Sequence, residues 1–247
     1  MKRRTFLHVG GALGASAMLP SEWNGRLPAP DARMTDSDSA VTILFQGDSI
    51  TDCGRDRSVT GANAAAGLGN GYPLLIASRL LAGRPEAGYR FFNRGVSGNT
   101  VPDCDARWQT DTIALAPDVV SILIGVNDYW HTLNGSYQGT ADDYERQFSA
   151  LLAATRSALP KVRLMVLEPF VLRAGAVTDQ WFPAFDERRK VARRVADGAG
   201  ATYLATQDLF DHLSRQAPPA YWSGDGVHPT AAGHGAIADM WMEAARL

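Results

Sequence analysis

Residues 119–128 read VVSILIGVND, an almost continuous apolar run that stops at Gly125 and is followed by Asn127 and Asp128. A short apolar run that is rich in β-branched residues and ends at glycine is typical of a strand buried on both faces. Such strands belong to parallel sheets, because helices cover both faces of those sheets. The segment therefore predicts a buried strand of an α/β domain, with polar groups where the strand ends.

Four more strands and four helices are predicted around this run. Residues 41–45 form a β-branched and aromatic segment that ends before Gly47 and Asp48, and later segments alternate between strand-like and helix-like spacing of apolar residues. That alternation favours one α/β domain over residues 41–247, a three-layer α/β/α sandwich with a five-stranded parallel sheet. The other strands are predicted at 89–92, 162–167 and 202–204, and the helices at 72–81, 140–159, 180–198 and 230–245.

Composition excludes several classes of protein. The 247 residues include 24 Lys+Arg and 26 Asp+Glu, so the net charge of −2 offers no basic surface for nucleic acid. No run of about 18 uncharged apolar residues is present, so no stable membrane insertion is expected. The two cysteines, Cys53 and Cys104, are too few for a disulfide scaffold or a four-cysteine zinc site, and whether they pair stays open. No metal or cofactor motif is found, and neither is expected.

The first residues predict export. Residues 1–20 begin with Lys2, Arg3 and Arg4, continue with a weakly apolar stretch and contain an A-x-A cleavage pattern, which are the three parts of an export signal. The adjacent arginines indicate the bacterial twin-arginine type, and an amphipathic N-terminus is the structural alternative. Residues 21–40 are predicted as a linker because they are rich in Pro, Ser and Asp. We therefore expect a periplasmic or secreted bacterial protein.

Polar groups recur at the carboxyl ends of the predicted strands, the edge where parallel sheets bind ligands. Together they comprise a hydroxyl, glycine amides, a side-chain amide and an Asp/His pair, which are the parts of an acyl-transfer site. They occur in the segments Gly47-Asp48-Ser49-Ile50, Gly95-Val96-Ser97-Gly98-Asn99, Gly125-Val126-Asn127-Asp128 and Gly224-Asp225-Gly226-Val227-His228-Pro229.

The chemistry of acyl transfer assigns a role to each group. The hydroxyl of Ser49 becomes a nucleophile when a neighbouring imidazole takes its proton. His228 supplies that imidazole, and Asp225 is close enough in the same turn to hold the other ring nitrogen. Negative charge on the substrate oxygen needs fixed donors, which are the backbone N–H groups of Ser49 and Gly98 and the amide of Asn127. Turn and capping roles are the structural alternative for each residue.

In order along the chain, these four segments resemble the sequence blocks of the SGNH (GDSL-type) hydrolases. The resemblance spans residues 41–247 and departs from the family pattern at Ile50, where the family name has Leu. It implies the flavodoxin-like SGNH hydrolase fold. It also implies that Ser49 is the nucleophile, His228 the base, Asp225 the carboxylate that orients it, and Gly98 and Asn127 oxyanion donors.

A narrower resemblance is to the bacterial acetylxylan esterases of that family. It implies an esterase that removes O-acetyl groups from xylan or xylo-oligosaccharides through a Ser-His-Asp triad and an acyl-enzyme. A lipid or thioester acyl hydrolase on the same scaffold is the alternative, because fold alone does not decide the substrate. The expected partner is thus an acylated carbohydrate, and homo-oligomerisation is left open. The segments that carry this resemblance are residues 47–55, 97–101, 107–108 and 127–130.

Several other side chains flank the catalytic segments. Tyr129, Trp130 and Trp222 are predicted to bind substrate, because aromatic faces suit sugar rings; burial in the core is the structural alternative. Asp52 is expected to hold the loop after the nucleophile by hydrogen bonds. His234 is expected at a solvent-facing or capping position on its helix.

Overall fold

The computed structural model describes residues 40–247, so the predicted export signal at 1–20 and nearly all of the predicted linker at 21–40 lie outside the described residues. The described part contains five strands: β1 (Thr42–Gly47), β2 (Arg90–Asn93), β3 (Val119–Leu123), β4 (Arg163–Leu167) and β5 (Thr202–Leu204). They form one sheet of order β2-β1-β3-β4-β5, in which every neighbouring pair is parallel. This confirms the predicted α/β fold and its parallel sheet.

Helices cover both faces of the sheet, as the apolar strands predict. Among the described residues, no helix is long and apolar enough to cross a membrane. The helices are α1 (Ser49–Asp52), α2 (Ala65–Leu68), α3 (Tyr72–Gly83), α4 (Val101–Asp111), α5 (Asn127–Leu133), α6 (Ala141–Ala158), α7 (Ala184–Gly198), α8 (Thr206–Leu213), α9 (Pro219–Trp222) and α10 (Ala231–Ala245). Short 3-10 turns lie at Pro85–Ala87, Ile113–Leu115 and Asp179–Trp181.

Successive residues of β1 face opposite helical layers, because strand side chains alternate between the two faces of a sheet. Ile43 and Phe45 lie in one buried cluster with side chains of α3 and α10. Leu44 lies in a second cluster with side chains of α4, α6 and α7. All three strand residues are fully buried. A core on each side of the sheet produces the three-layer sandwich and leaves the strand ends open at its edge.

The helix predicted at 180–198 is wrong at its start. A 3-10 turn occupies Asp179–Trp181, and α7 begins only at Ala184. Pro183 at the N-cap position explains the break, because proline has no N–H to continue a helix and its ring blocks the preceding turn. The rest of the predicted segment forms α7 as expected.

The sequence analysis missed α4, which follows the glycine loop after β2. Its residues are mostly polar and show no clear apolar stripe. A local signal is nevertheless present, since Asp103 accepts from the Thr100 N–H at 2.9 Å in a capping box. This helix matters for the site, because it carries Arg107 and begins two residues after Asn99.

Candidate active site

The four strand-end segments meet at the carboxyl edge of the sheet. The Ser49 hydroxyl at the start of α1 lies 2.8 Å from Nε2 of His228, although 179 residues separate them. The Asn127 amide at the start of α5 lies 3.1 Å from the carbonyl oxygen of Asn99, in the loop after β2. Because β1 lies between β2 and β3, the loops after these three strands are neighbours. The structure thus brings the predicted groups together in one place.

Ser49, His228 and Asp225 form one hydrogen-bonded chain. Nδ1–H of His228 donates to Oδ2 of Asp225 over 2.7 Å, so Nε2 accepts from the Ser49 hydroxyl. The other Asp225 oxygen accepts from the backbone N–H groups of His228 at 2.7 Å and Val227 at 2.9 Å. Partial burial raises the pKa of Asp225, but the hydrogen bonds from His228 and Val227 outweigh it and hold that pKa below its usual value. The carboxylate is therefore ionised and aimed at the imidazole.

A segment after β4 braces the turn that carries Asp225 and His228. Gly226 has a φ of +86°, and a Cβ there would overlap the carbonyl oxygens of Leu172 and Ala174. Its own carbonyl accepts from the Leu172 N–H at 2.7 Å. Only glycine satisfies both this backbone conformation and this close approach. The sequence analysis missed the brace, because residues 169–172 are apolar and match no catalytic motif.

A tight turn presents Ser49 at the end of β1. Gly47 packs so closely against the carbonyl of Leu123 in β3 that a Cβ would overlap it. Asp48 caps the short helix α1 by accepting from the Ile50 N–H at 3.0 Å. These contacts fix the direction of the serine side chain relative to the neighbouring strand.

Three N–H groups of the site each keep a hydrogen without an acceptor among the described residues. Within residues 40–247, neither the Ser49 N–H nor the Gly98 N–H donates a hydrogen bond. The Asn127 amide donates one hydrogen to Asn99 and has a second. Gly98 is exposed with a φ of +84°, and no atom lies within 4 Å of the place a Cβ would take, so a substrate can approach its backbone. These are the three donors predicted from the sequence.

Asp52 joins α1 to the glycine loop after β2. One carboxylate oxygen accepts from the N–H and the hydroxyl of Ser97, at 2.9 and 2.8 Å, and also from Arg57. Burial raises the pKa of Asp52, but the hydrogen bonds from Arg57 and Ser97 outweigh it, so the pKa is lowered overall. The predicted structural role of Asp52 is confirmed by these contacts, which place Gly98 relative to Ser49.

Two carboxyl groups are buried immediately beside the predicted nucleophile and amide donor. Asp48 and Asp128 are each 1% exposed, and in the described part of the chain one oxygen of each has no hydrogen-bond partner. The other oxygen of Asp128 accepts from the Val101 N–H at 3.0 Å and ties α5 to the start of α4. Burial raises the pKa of both groups to about 7. Asp128 therefore has a structural role between α5 and α4, and its burial has no counterpart in the sequence pattern.

Of the three aromatic residues predicted to bind substrate, Trp130 is the one in ring contact with the imidazole. Its ring centre lies 6.1 Å from that of His228. Tyr129 is a correction: it is 6% exposed, packs edge-on against Trp181 at 5.5 Å and donates its hydroxyl to a backbone carbonyl. Trp222 is half-buried and donates its indole N–H to backbone carbonyls in the chain that precedes it. Tyr129 is thus a residue of the hydrophobic core.

His234 corrects a further prediction, because it is buried instead of facing solvent. On α10 it is three residues before Ile237 and seven before Trp241, so the three side chains share the face that packs into the core. Its Nδ1 accepts from the Tyr72 N–H at 3.3 Å, and its Nε2 lies 3.3 Å from Sγ of Cys53. Burial lowers the pKa of His234 to about 4. The ring is therefore a neutral core group near neutral pH.

The two cysteines are both free thiols. Cys53 is half-buried and Cys104 is buried, so the disulfide that the sequence left open is not formed. Within residues 40–247, no group of three or more His, Cys, Asp or Glu side chains is placed to hold a metal ion. The described side chains thus contain no ready-made metal centre.

An α/β/α sandwich with these groups at its strand ends is typical of one class of protein, the carboxylic ester hydrolases. Comparison with known families makes the assignment more specific. Residues 45–236 match the GDSL-like lipase/acylhydrolase family. The chain belongs to that family, which confirms the resemblance seen in its sequence blocks.

Three relatives cover most of the chain. An acetylxylan esterase from Geobacillus stearothermophilus is 37% identical over 208 residues, which are 83% of this chain and 93% of that protein. The crystal structure of an acetylxylan esterase from the same organism has a TM-score of 0.72 at 36% identity, covering 83% of this chain and 94% of that one. The structure of a candidate GDSL-like lipase from Parabacteroides merdae has a TM-score of 0.81 at 48% identity, covering 83% of this chain and 95% of that one.

Proposed function

We propose that this protein is a serine esterase that removes O-acetyl groups from a carbohydrate such as xylan or xylo-oligosaccharides. The observation that carries the proposal is the pair of hydrogen bonds, 2.8 and 2.7 Å long, that links Ser49 through His228 to Asp225. A hydroxyl that donates to an imidazole, which in turn donates to a carboxylate, is activated for attack on an ester.

In the acylation half-reaction, the Ser49 oxygen attacks the carbonyl carbon while Nε2 of His228 takes the hydroxyl proton. The carbonyl oxygen becomes an oxyanion that the N–H groups of Ser49, Gly98 and Asn127 stabilise, each donor contributing about 3–4 kcal/mol in the transition state. Asp225 stabilises the imidazolium through Nδ1. Nε2–H then protonates the departing sugar oxygen, and the acetyl group remains on Ser49.

In the deacylation half-reaction, a water molecule repeats the attack. Nε2 of His228 takes a proton from the water, whose oxygen adds to the acetyl carbonyl carbon of acetyl-Ser49. The same donors stabilise the second oxyanion. When the intermediate collapses, Ser49 leaves and recovers its proton from His228, and acetate departs. The cycle consumes one water and needs no other reactant.

A relative supports these two roles. The Geobacillus acetylxylan esterase has been solved as variants described as catalytic mutants, one with a serine and one with a histidine replaced by alanine. Those two positions are 179 residues apart, which is also the separation of Ser49 and His228. The equal spacing supports Ser49 as nucleophile and His228 as base in this chain.

The openness of the site supports an acetyl group on a large carbohydrate. The side chains of His228 and Asp225 are 43% and 41% exposed, so the imidazole lies at the surface. An acetyl group needs little enclosed volume, whereas a long acyl chain would need an apolar trough beside the nucleophile. Trp130, in contact with His228, offers an aromatic ring of the kind that stacks on sugar faces.

The test is acetate release from acetylated xylo-oligosaccharides by the wild type and by Ser49→Ala. We expect the wild type to release acetate and Ser49→Ala to lose at least about 1,000-fold in kcat, because no other group replaces the nucleophile. Ser78→Ala is the matched control, since that exposed serine on α3 bonds only to its own helix. Substantial activity in Ser49→Ala would show that Ser49 is not the nucleophile.

Acyl length separates the carbohydrate proposal from a lipid or thioester hydrolase. We expect kcat/KM to fall from acetyl to octanoyl esters, since each methylene that the site cannot accept costs about 1–3 kcal/mol in the transition state. A kcat/KM that rises with acyl length would favour the lipid alternative and leave the role of Ser49 intact.

A further inference from the structure

We propose that Arg107 is a positioning residue that holds the oxyanion donors Gly98 and Asn127 in place relative to Ser49. The inference rests on the proposed esterase function and adds to it a residue that does not touch the substrate. The guanidinium of Arg107 makes hydrogen bonds to three parts of the site.

Arg107 lies on α4 and donates to the ends of β1 and β2 and to the loop that follows β2. Its Nη2 donates to the carbonyl of Gly47 at 3.3 Å, at the end of β1 and two residues before Ser49. Its Nη1 donates to the carbonyl of Arg94 at 2.7 Å, just after β2. Its Nε donates to Oδ1 of Asn99 at 2.8 Å. One planar group thus sets the distance between the nucleophile turn and the glycine loop.

Further contacts keep the guanidinium from rotating. Nη1 also donates to Oε1 of Gln46 at 2.9 Å and to Oδ2 of Asp111 at 3.0 Å. Gln46 is fully buried and is itself held by a 2.7 Å bond to the hydroxyl of Thr112. The Arg107 side chain is 19% exposed, so water competes little for these donors. These contacts therefore hold the planar guanidinium of Arg107 in one orientation.

Asn99 connects Arg107 to both donors, Gly98 and Asn127. Its side chain accepts from Arg107, and its backbone carbonyl accepts from the Asn127 amide at 3.1 Å. It follows Gly98 directly, and its N–H donates to the carbonyl of Val96 at 3.1 Å, which closes a turn around Gly98. A displaced Asn99 would therefore move Gly98 and Asn127 together.

Gly98 depends on such anchors because no side chain of residues 40–247 packs against its Cα. It is exposed, has a positive φ and has no atom near its missing Cβ. On one side Asp52 holds Ser97, and on the other Arg107 holds Asn99. The direction of the Gly98 N–H is set between these two anchors. An error of about 1 Å in such a group costs on the order of 100-fold in rate.

The experiment compares hydrolysis of 4-nitrophenyl acetate by the wild type, Arg107→Met and Arg107→Lys. We expect kcat to fall about 10–100-fold in Arg107→Met with KM nearly unchanged, because donors used mainly in the transition state are misplaced. Arg107→Lys keeps the charge but not the fork, so most of the loss should remain. Arg146→Met is the control, since Arg146 is exposed on α6 and, among the described residues, pairs with Asp143 alone; its kcat should equal that of the wild type.

A double mutant distinguishes positioning through Asn99 from general destabilisation. If Arg107 acts through that side chain, Arg107→Met combined with Asn99→Ala should lose no more kcat than the worse single variant. Losses that multiply, or a rise in KM at constant kcat, would overturn the inference. If Arg107→Met does not fold, Arg107→Lys with Asn99→Ala makes the same comparison.

The wild-type rate is measured first, so that the two proposals fail separately. If the wild type hydrolyses the ester and both Arg107 variants keep its kcat, the positioning role is overturned and the proposed esterase function stands. If the wild type hydrolyses no ester, both are overturned.

Discussion

Asp225 holds His228 at two points, because one carboxylate oxygen accepts from the imidazole and the other from the backbone N–H of the same residue, both at 2.7 Å. The first bond selects the tautomer of the ring, and the second shapes the turn that carries it. A single carboxylate therefore couples the tautomer of the proposed base to its position.

Asp225→Asn should separate these two effects. The asparagine oxygen can still accept from the backbone, but its NH2 group facing Nδ1 would favour the tautomer with hydrogen on Nε2, which cannot accept from Ser49. We expect kcat to fall about 10,000-fold, as in serine proteases with the same exchange, while the fold is retained by circular dichroism. A kcat within tenfold of the wild type would show that the tautomer is set by another group.

A pair of glycine exchanges should have opposite effects on stability. Gly226→Ala introduces a Cβ at positive φ against two carbonyl oxygens, and we expect it to lower the free energy of unfolding by about 2–4 kcal/mol. Gly235→Ala, in α10 with open space around it, should raise it by about 0.5–1 kcal/mol. Urea denaturation measures both values. Equal stabilities would contradict the tight packing of the turn.

Asp128 should make stability depend on pH, since burial raises its pKa from 3.8 to about 7. Below about pH 4 the group is protonated in both the folded and the unfolded chain. Between about pH 4 and 7 the unfolded chain ionises first, so the free energy of unfolding falls as pH rises through that window.

Asp128→Asn removes this titration. Relative to the wild type, its free energy of unfolding should increase between pH 4 and 8 by up to about 4 kcal/mol, at about 1.4 kcal/mol for each unit of pKa shift. The exposed Asp239→Asn is the surface control. A difference between wild type and Asp128→Asn that does not change with pH would mean that the buried carboxyl stays ionised.

Export should depend on Arg3 and Arg4, which precede a weakly apolar stretch rich in Gly and Ala. Replacing both by Lys keeps the charge but should block a twin-arginine route, leaving the protein in the cytoplasm on cell fractionation. Normal amounts of the double-Lys variant outside the cytoplasm would instead favour a general secretory signal.

Much of this architecture is predictable because it is decided locally. The strand at β3 is recognisable from the apolar run before Gly125, and parallel sheets place their ligand sites where such strands end. Ser49, Asn127 and His228 follow from that rule and from the chemistry of acyl transfer. The order of elements alone thus leads to the edge of the sheet where the groups meet.

Other features depend on contacts between distant parts of the chain. The ring of His234 contacts the backbone of Tyr72, 162 residues away, and no local pattern predicts that contact. Arg107 belongs to a segment that carries the family resemblance, but its contact with Gln46, 61 residues earlier, is formed only in the folded chain. Tyr129 carries the same aromatic signal as Trp130, and only packing assigns one to the core and the other to the site.

The central claim is that Ser49 carries the acetyl group between the sugar and water. Acid quenching during turnover of 4-nitrophenyl acetate, followed by peptide mass spectrometry, tests it most directly. We predict an acetyl group on the peptide that contains Ser49 in the wild type, and no acetylation together with loss of acetate release in Ser49→Ala. Turnover by the wild type without any acetyl on that peptide, with acetate release preserved in Ser49→Ala, would contradict the account.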